Sequence, residues 1–164
     1  MRFLRNNKGF TLIELLIVII ILGVLAALIT GNFFTSLKKG RDARRKADIG
    51  QVQKALELYY EDKRAYPTQA PDPGFVFGEQ FSDPSTGKTY MQRVATDPLG
   101  NTDYRYESDT DGTYYKLYAC LENDQQNLPY LSSPTSYNCN KNCKDKDNNT
   151  IPCIWGISSA NINP

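Results

Sequence analysis

Lys8-Gly9-Phe10-Thr11-Leu12-Ile13-Glu14 opens the run FTLIELLIVIIILGVLAALI, 20 residues from Phe10 to Ile29 in which Glu14 is the one ionisable side chain. At about 1.5 Å of rise per residue, such a helix spans the roughly 30 Å hydrocarbon core of a bilayer. A charge near the middle of a membrane helix costs about 2.5 to 3.5 kcal/mol on insertion scales, so this carboxylate calls for a partner and a role. An ordinary secretory signal shares the basic leader (Arg2, Arg5, Lys8) and the small residues around Val24-Leu25-Ala26. It does not share the buried glutamate, the glycine ahead of the apolar run, or a helical pattern that continues past Ala27.

Working outward, the helix is expected to run on. No proline stands between Thr35 and Arg64, and Ile49, Val52, Leu56 and Tyr59 recur at spacings of 3, 4 and 3, one apolar stripe for a core. Lys63-Arg64-Ala65-Tyr66-Pro67 ends the helix, because proline cannot donate to the helical ladder and biases the residue before it to an extended conformation. The basic residues Lys38, Lys39, Arg41, Arg44, Arg45 and Lys46 read as a solvated helix face, with contacts to acidic neighbours or anionic lipid as the other readings.

Thr68 to Gly87 is rich in Pro, Gly, Asp and Thr and reads as a surface loop anchored by Phe75, Phe77 and Phe81. Asp97-Pro98-Leu99-Gly100-Asn101 is turn chemistry. A hairpin is predicted from Tyr104-Arg105-Tyr106 and the stretch Thr113 to Leu121, joined by Asp109-Thr110-Asp111-Gly112. In its second strand Tyr115, Leu117, Ala119 and Leu121 share the face expected against the helix stripe, and Tyr118 and Cys120 share the other.

The four cysteines, Cys120, Cys139, Cys143 and Cys153, are disulfide candidates if the chain leaves the cytoplasm. Four cysteines allow three pairings; a bridge from Cys120 to the tail is favoured because it would tie down a segment with little apolar content. A zinc site is a poor fit to C-x3-C followed by C-x9-C. Asp145, Asp147 and Asn149 offer oxygen ligands at every second residue, a calcium candidate, but Thr150 and Gly156 stand where an EF-hand needs its glycine and its glutamate. No other cofactor is expected. The chain has no histidine, which removes the commonest general base, and nothing in it resembles a nucleotide-binding loop, so an enzyme is not expected. Without Arg2, Arg5 and Lys8, the 19 basic residues fall to 16 against 18 acidic ones, a balance that gives no call to nucleic acid.

The segment K-G-F-T-L-I-E-L-L resembles the type IV pilin and pseudopilin family, and ALELYYEDKRAYPT, the DPxGN turn and Tyr118-Ala119-Cys120-Leu121-Glu122-Asn123 are similar to that family's heads. The resemblance implies cleavage by a prepilin peptidase between Gly9 and Phe10, N-methylation of Phe10, and a charge pair between the new Phe10 amine and Glu14 of a neighbouring subunit. It also implies a homo-oligomeric helical filament drawn from the membrane by an assembly ATPase and a platform protein, and it adds that major pseudopilins often hold calcium in the head.

Expected, then, is an α+β chain. Residues 1–9 are a cleaved leader, 10–30 a transmembrane and assembly helix, 31–64 an amphipathic continuation, and 65–164 a head with a small antiparallel sheet and a cysteine-rich C-terminal loop. The basic cluster past the apolar run would by count place the C-terminal side in the cytoplasm. The leader's closeness to the run, the diluting Asp42 and Asp48, and the cysteines reverse that expectation: leader cytoplasmic, head extracytoplasmic, with the chain in an extracellular or periplasmic filament after assembly. The expected function is a structural subunit of a type IV pilus-like filament. The alternatives are a pseudopilin of a type II secretion system, or a minor pilin displaying an adhesin or DNA-uptake head.

Overall fold

Helix α1 spans Leu12–Lys63 in a computed structural model that describes residues 9–68, 75–100, 104–128, 137, 139, 142–145 and 147–160. The leader residues 1–8 and Asn101 of the DPxGN turn lie outside the described residues. The chain divides into two units, Met1–Leu37 and Lys38–Pro164. In the first, every described side chain from Phe10 to Leu28 is exposed, Leu12 at 88% and Ile13 at 66%. This is a helix long and apolar enough to cross a membrane, with a surface that water does not favour.

In the second unit the expected stripe is the core face of α1: Ile49, Val52 and Leu56 are fully buried, and Ala55 nearly so. Each such side chain, moved out of water, stabilises the fold by about 1.5 to 3 kcal/mol. They pack in one cluster with Tyr106, Tyr115, Leu117 and Ala119 of the sheet and with Tyr66, Phe81 and Val94. The helix closes at Arg64, which takes the left-handed conformation (φ 59°) of a C-terminal cap while its N–H still donates to the Tyr60 carbonyl at 2.7 Å.

The central sheet has the order β3-β4-β8, with β3 at Arg105–Ser108, β4 at Tyr115–Cys120 and β8 at Ile154–Ser158, antiparallel throughout. The predicted hairpin is therefore present, with Tyr106 opposite Leu117. Gly112 in its turn has φ 63° and accepts from the Tyr66 N–H at 2.7 Å, and a side chain there would collide with the Tyr66 backbone. That bond fastens the turn to the exit of the helix.

One expectation needs correction, and two are filled in. The stretch 68–87 is not loop throughout: β1 (Phe81–Ser82) pairs with β2 (Thr89–Met91), because Phe81 is drawn fully into the core and Gly87, at φ 70°, allows the tight return. Beside the expected antiparallel sheet the described residues form two smaller ones, and one pairing, β5 (Asn127–Leu128) on β6 (Asn142–Asp145), is parallel. The described part of the C-terminal region also contributes strands: β6 pairs with β7 (Thr150–Pro152), and β8 returns to the edge of β4, where Ile154 and Cys153 find apolar company.

Candidate functional site

Gly9 and Phe10 lie in exposed chain without regular secondary structure just ahead of α1, with Phe10 84% exposed, so the predicted cleavage point is open to an enzyme. Thr11 is the cap of the helix. The Glu14 carboxylate accepts from the Thr11 N–H at 2.7 Å and from the Thr11 hydroxyl at 2.8 Å, while the Glu14 N–H approaches the same hydroxyl at 3.4 Å. This reciprocal arrangement is a capping box, and it satisfies donors that a helix start otherwise leaves open. It sets the carboxylate in the first turn of α1, on the side of the Phe10 backbone, where the positive end of the helix dipole favours a negative charge. The T-x-x-E spacing at residues 11–14 could have announced the cap, since it is the standard pattern.

A second polar centre realises the alternative reading of the basic cluster, contact with acidic neighbours, at two of its members. Arg45, read as part of a solvated face, is buried to 2% exposure. Its Nε donates to Asp97 Oδ2 at 2.6 Å, its Nη1 to Asp42 Oδ1 at 2.9 Å, and Nη1 also lies 2.6 Å from Glu122 Oε1. Asp42 accepts in addition from the backbone N–H groups of Glu122 and Asn123, each at 2.9 Å, and from the Gln126 amide at 2.9 Å. Arg41 forks onto Glu122 at 2.9 and 2.6 Å, and Asp97 receives the Leu99 N–H at 2.8 Å, so the DPxGN turn and the exit of β4 are both bound to the helix. Acidic neighbours are the partners of both arginines, and for Arg45 they are required, because burial makes an unpaired charge far costlier than an exposed one.

Electrostatics follow from that packing. Burial is the largest single influence on Arg45 and disfavours its charge, but the bonds to Asp97 and Glu122 and the charges behind them outweigh it, so the guanidinium is held protonated. The Arg41 hydrogen bond is the chief cause that pulls the Glu122 carboxyl down to about 2. At the far end of α1, Lys63 meets Asp83 at 2.7 Å and, with help from Thr86 and Ser85, holds that carboxyl well below the usual range.

Two disulfides close the head: Cys120 with Cys139, and Cys143 with Cys153, at Cα separations of 5.5 and 4.9 Å. Cys120 reaches the tail, and on the face it shares with Tyr118 and its strand partner Ile154 it packs with Cys139 and Tyr137. Asp147 and Asn149 lie on the exposed turn between β6 and β7, and the side chain of Asp145 falls outside the described residues. Among the described residues no three His, Cys, Asp or Glu side chains are gathered as a metal would need.

Comparison with known proteins agrees with this arrangement. Residues 4–30 match the prokaryotic N-terminal methylation motif, and residues 32–128 match the model of type II secretion system protein G. The chain is 34% identical to the type II secretion system core protein G of Vibrio cholerae over 116 residues, covering 68% of this chain and 77% of that one. It is 30% identical to the Escherichia coli K12 protein of the same name, covering 73% and 85%. It is also 32% identical to the type IV major pilin protein PilA of Myxococcus xanthus, covering 66% of this chain and 46% of that one. No solved structure matches the chain.

Proposed function

The chain belongs to the type II secretion system protein G family, and from that premise we propose that it is a structural subunit of a type IV pilus-like filament, polymerised through its N-terminal helix. Processing by a prepilin peptidase between Gly9 and Phe10 precedes assembly. What supports the reading is the start of α1: a glycine in exposed chain at the proposed cut, an apolar helix whose described side chains are all exposed as far as Leu28, and a carboxylate bonded in the first turn to Thr11, the residue after the Phe10 that cleavage would make the amino terminus. A neighbouring subunit's apolar helix would replace lipid around the stripe, and Glu14 paired with an incoming Phe10 amine would allow only one register, since an unmatched carboxylate is poorly tolerated there. The reading is structural rather than catalytic and draws on no cofactor, calcium included. Its partners are further copies of the chain, the membrane before assembly, a prepilin peptidase, an assembly ATPase and a platform protein, and the head lies outside the cytoplasm.

Intact mass and N-terminal peptide mapping of the membrane-extracted protein test it. The expected product begins at N-methylated Phe10; a start near Ala27, or an uncut Met1, overturns it. The likeness to a major pilin favours a second version, a surface pilus in place of a secretion pseudopilus. Electron microscopy of cells expressing the chain separates them: long surface fibres mark the pilus, and their absence while secretion depends on the chain marks the pseudopilus.

A further inference from the structure

Between Glu14 and Lys38 there is no ionisable residue, and then six basic ones arrive within nine positions. Two of them, Arg41 and Arg45, are taken up by Glu122, Asp42 and Asp97. The others are not neutralised. Among the described residues neither Lys38 nor Lys39 has an acidic partner, and Arg44 reaches Asp48 only at 3.9 Å while its side chain is 69% exposed. The Lys46 amine takes a neutral acceptor, Gln126 Oε1 at 2.8 Å, and stands over the Trp155 ring.

Lys39 and Lys46 also line a cleft of about 430 Å³ with Asn123, Gln125 and Gln126. Asp42, the one acid in its lining, has both carboxylate oxygens engaged by Arg45, two backbone N–H groups and the Gln126 amide. Both Asp42 oxygens are thus turned to donors of the head, and the rest of the cleft's polar lining is the Lys39 and Lys46 amines and side-chain amides. Ahead of it in the chain stand Phe33 and Phe34, 55% and 61% exposed, an aromatic pair of the kind that settles at a membrane surface.

We infer that the collar Lys38, Lys39, Arg44 and Lys46 is a docking surface for the anionic phospholipid headgroups of the membrane in which the helix is anchored. This rests on the reading of the apolar run as a bilayer span. An amine held near an anionic leaflet is weighted toward the bound state by about fivefold, and phosphodiester oxygens match the donors that the cleft offers. The collar gives the unassembled subunit a charge-based hold on its membrane in addition to its apolar one, so that lipid composition tunes how readily a subunit is drawn out.

The test uses the full chain in lipid nanodiscs, either neutral phosphatidylcholine or the same lipid with roughly one-third phosphatidylglycerol. Amine acylation rates at individual lysines are read by mass spectrometry, with the exposed Lys54 as internal control. Expected in the anionic discs is a drop of about fivefold at Lys38 and Lys39, reversed by about 0.5 M salt, with Lys54 unchanged. Equal rates in both discs overturn the proposal, as does equal protection by free glycerol phosphate added to neutral discs, which would make the cleft a general anion site. A chain that enters neither disc overturns the proposal together with the membrane-span reading, a result distinct from the other two.

Discussion

The Arg45 guanidinium and the Asp97 carboxylate meet at 2.6 Å across 52 residues of chain, with 2% and 1% of their side chains exposed. The helix therefore holds the turn at 97–100 by a charge pair inside the head, and Asp42 and Glu122 complete it from either side. Such a pair contributes little as an attraction beyond what desolvation costs, but neither half can be removed alone without leaving the other stranded.

Replacing Arg45 by Met leaves Asp42 and Asp97 buried without their cation and is expected to destabilise the head by about 3 to 5 kcal/mol. Urea unfolding followed by the fluorescence of Trp155, the one tryptophan, measures it. Arg45→Lys, which keeps the charge but not the fork, falls between the two.

Acid acts on the same centre. The Arg41 hydrogen bond holds the Glu122 carboxyl at about 2 against an ordinary value of 4.5, so its contribution is complete above pH 4.5 and is lost as the pH falls toward 2. Asp83, held down by Lys63, works in the same direction. Trp155 fluorescence should report loss of the fold in that window, and Glu122→Gln should flatten the acid limb while lowering stability at neutral pH.

Alkali acts on the tyrosines. Burial is the main cause that raises Tyr90 and Tyr118 to about 12, and it raises Tyr66, Tyr104 and Tyr115 well above the ordinary 10.0. Ultraviolet titration should find these five of the 11 tyrosines un-ionised in the folded protein at pH values where free tyrosine titrates. Their share of stability is present below pH 10 and is lost as the pH rises through the folded values.

Non-reducing peptide mapping should recover Cys120 linked to Cys139 and Cys143 linked to Cys153. The bridges join residues 19 and 10 apart, and loops of the order of 15 residues give about 3 kcal/mol per bridge. Reduction should lower the urea midpoint, and a double Cys120→Ala, Cys139→Ala variant should lose the larger share, since its bridge is anchored in the central strand.

Glu14→Ala should leave cleavage at Gly9 intact and abolish filaments, read by mass spectrometry and electron microscopy of the same cells. Thr11→Val removes the cap hydroxyl and costs the helix start about 1 kcal/mol. It should weaken assembly without abolishing it, because the carboxylate stays.

What could be read from residue order divides by distance along the chain. The apolar run at 10–29 is helical as expected, and the Ile49-Val52-Leu56 stripe and the Tyr115-Leu117-Ala119 alternation are periodic signals whose burial is as predicted. The capping box sat in plain view at Thr11 and Glu14 and needed only its pattern. The burial of Arg45 could not be read locally, because its partners Asp97 and Glu122 lie on a turn and a strand exit far along the chain. Nor could the cysteine pairing be chosen among three. Strands β6 and β7, Asn142–Asp145 and Thr150–Pro152, are polar and too short to alternate, so only their neighbours make them strands.

The pairing of β4 with β8 also orders events in time. A ribosome delivers Tyr115–Cys120 well before Ile154–Ser158, and until that later segment emerges one side of β4 carries unpaired backbone donors and acceptors from Lys116 to Cys120. A nascent head is thus a two-stranded hairpin with an open edge, the form in which strands capture strangers and proteases find purchase. The sheet can be completed only when residues 154–158 arrive, so a chain truncated ahead of them would persist as an aggregating or degraded fragment rather than as a smaller working subunit.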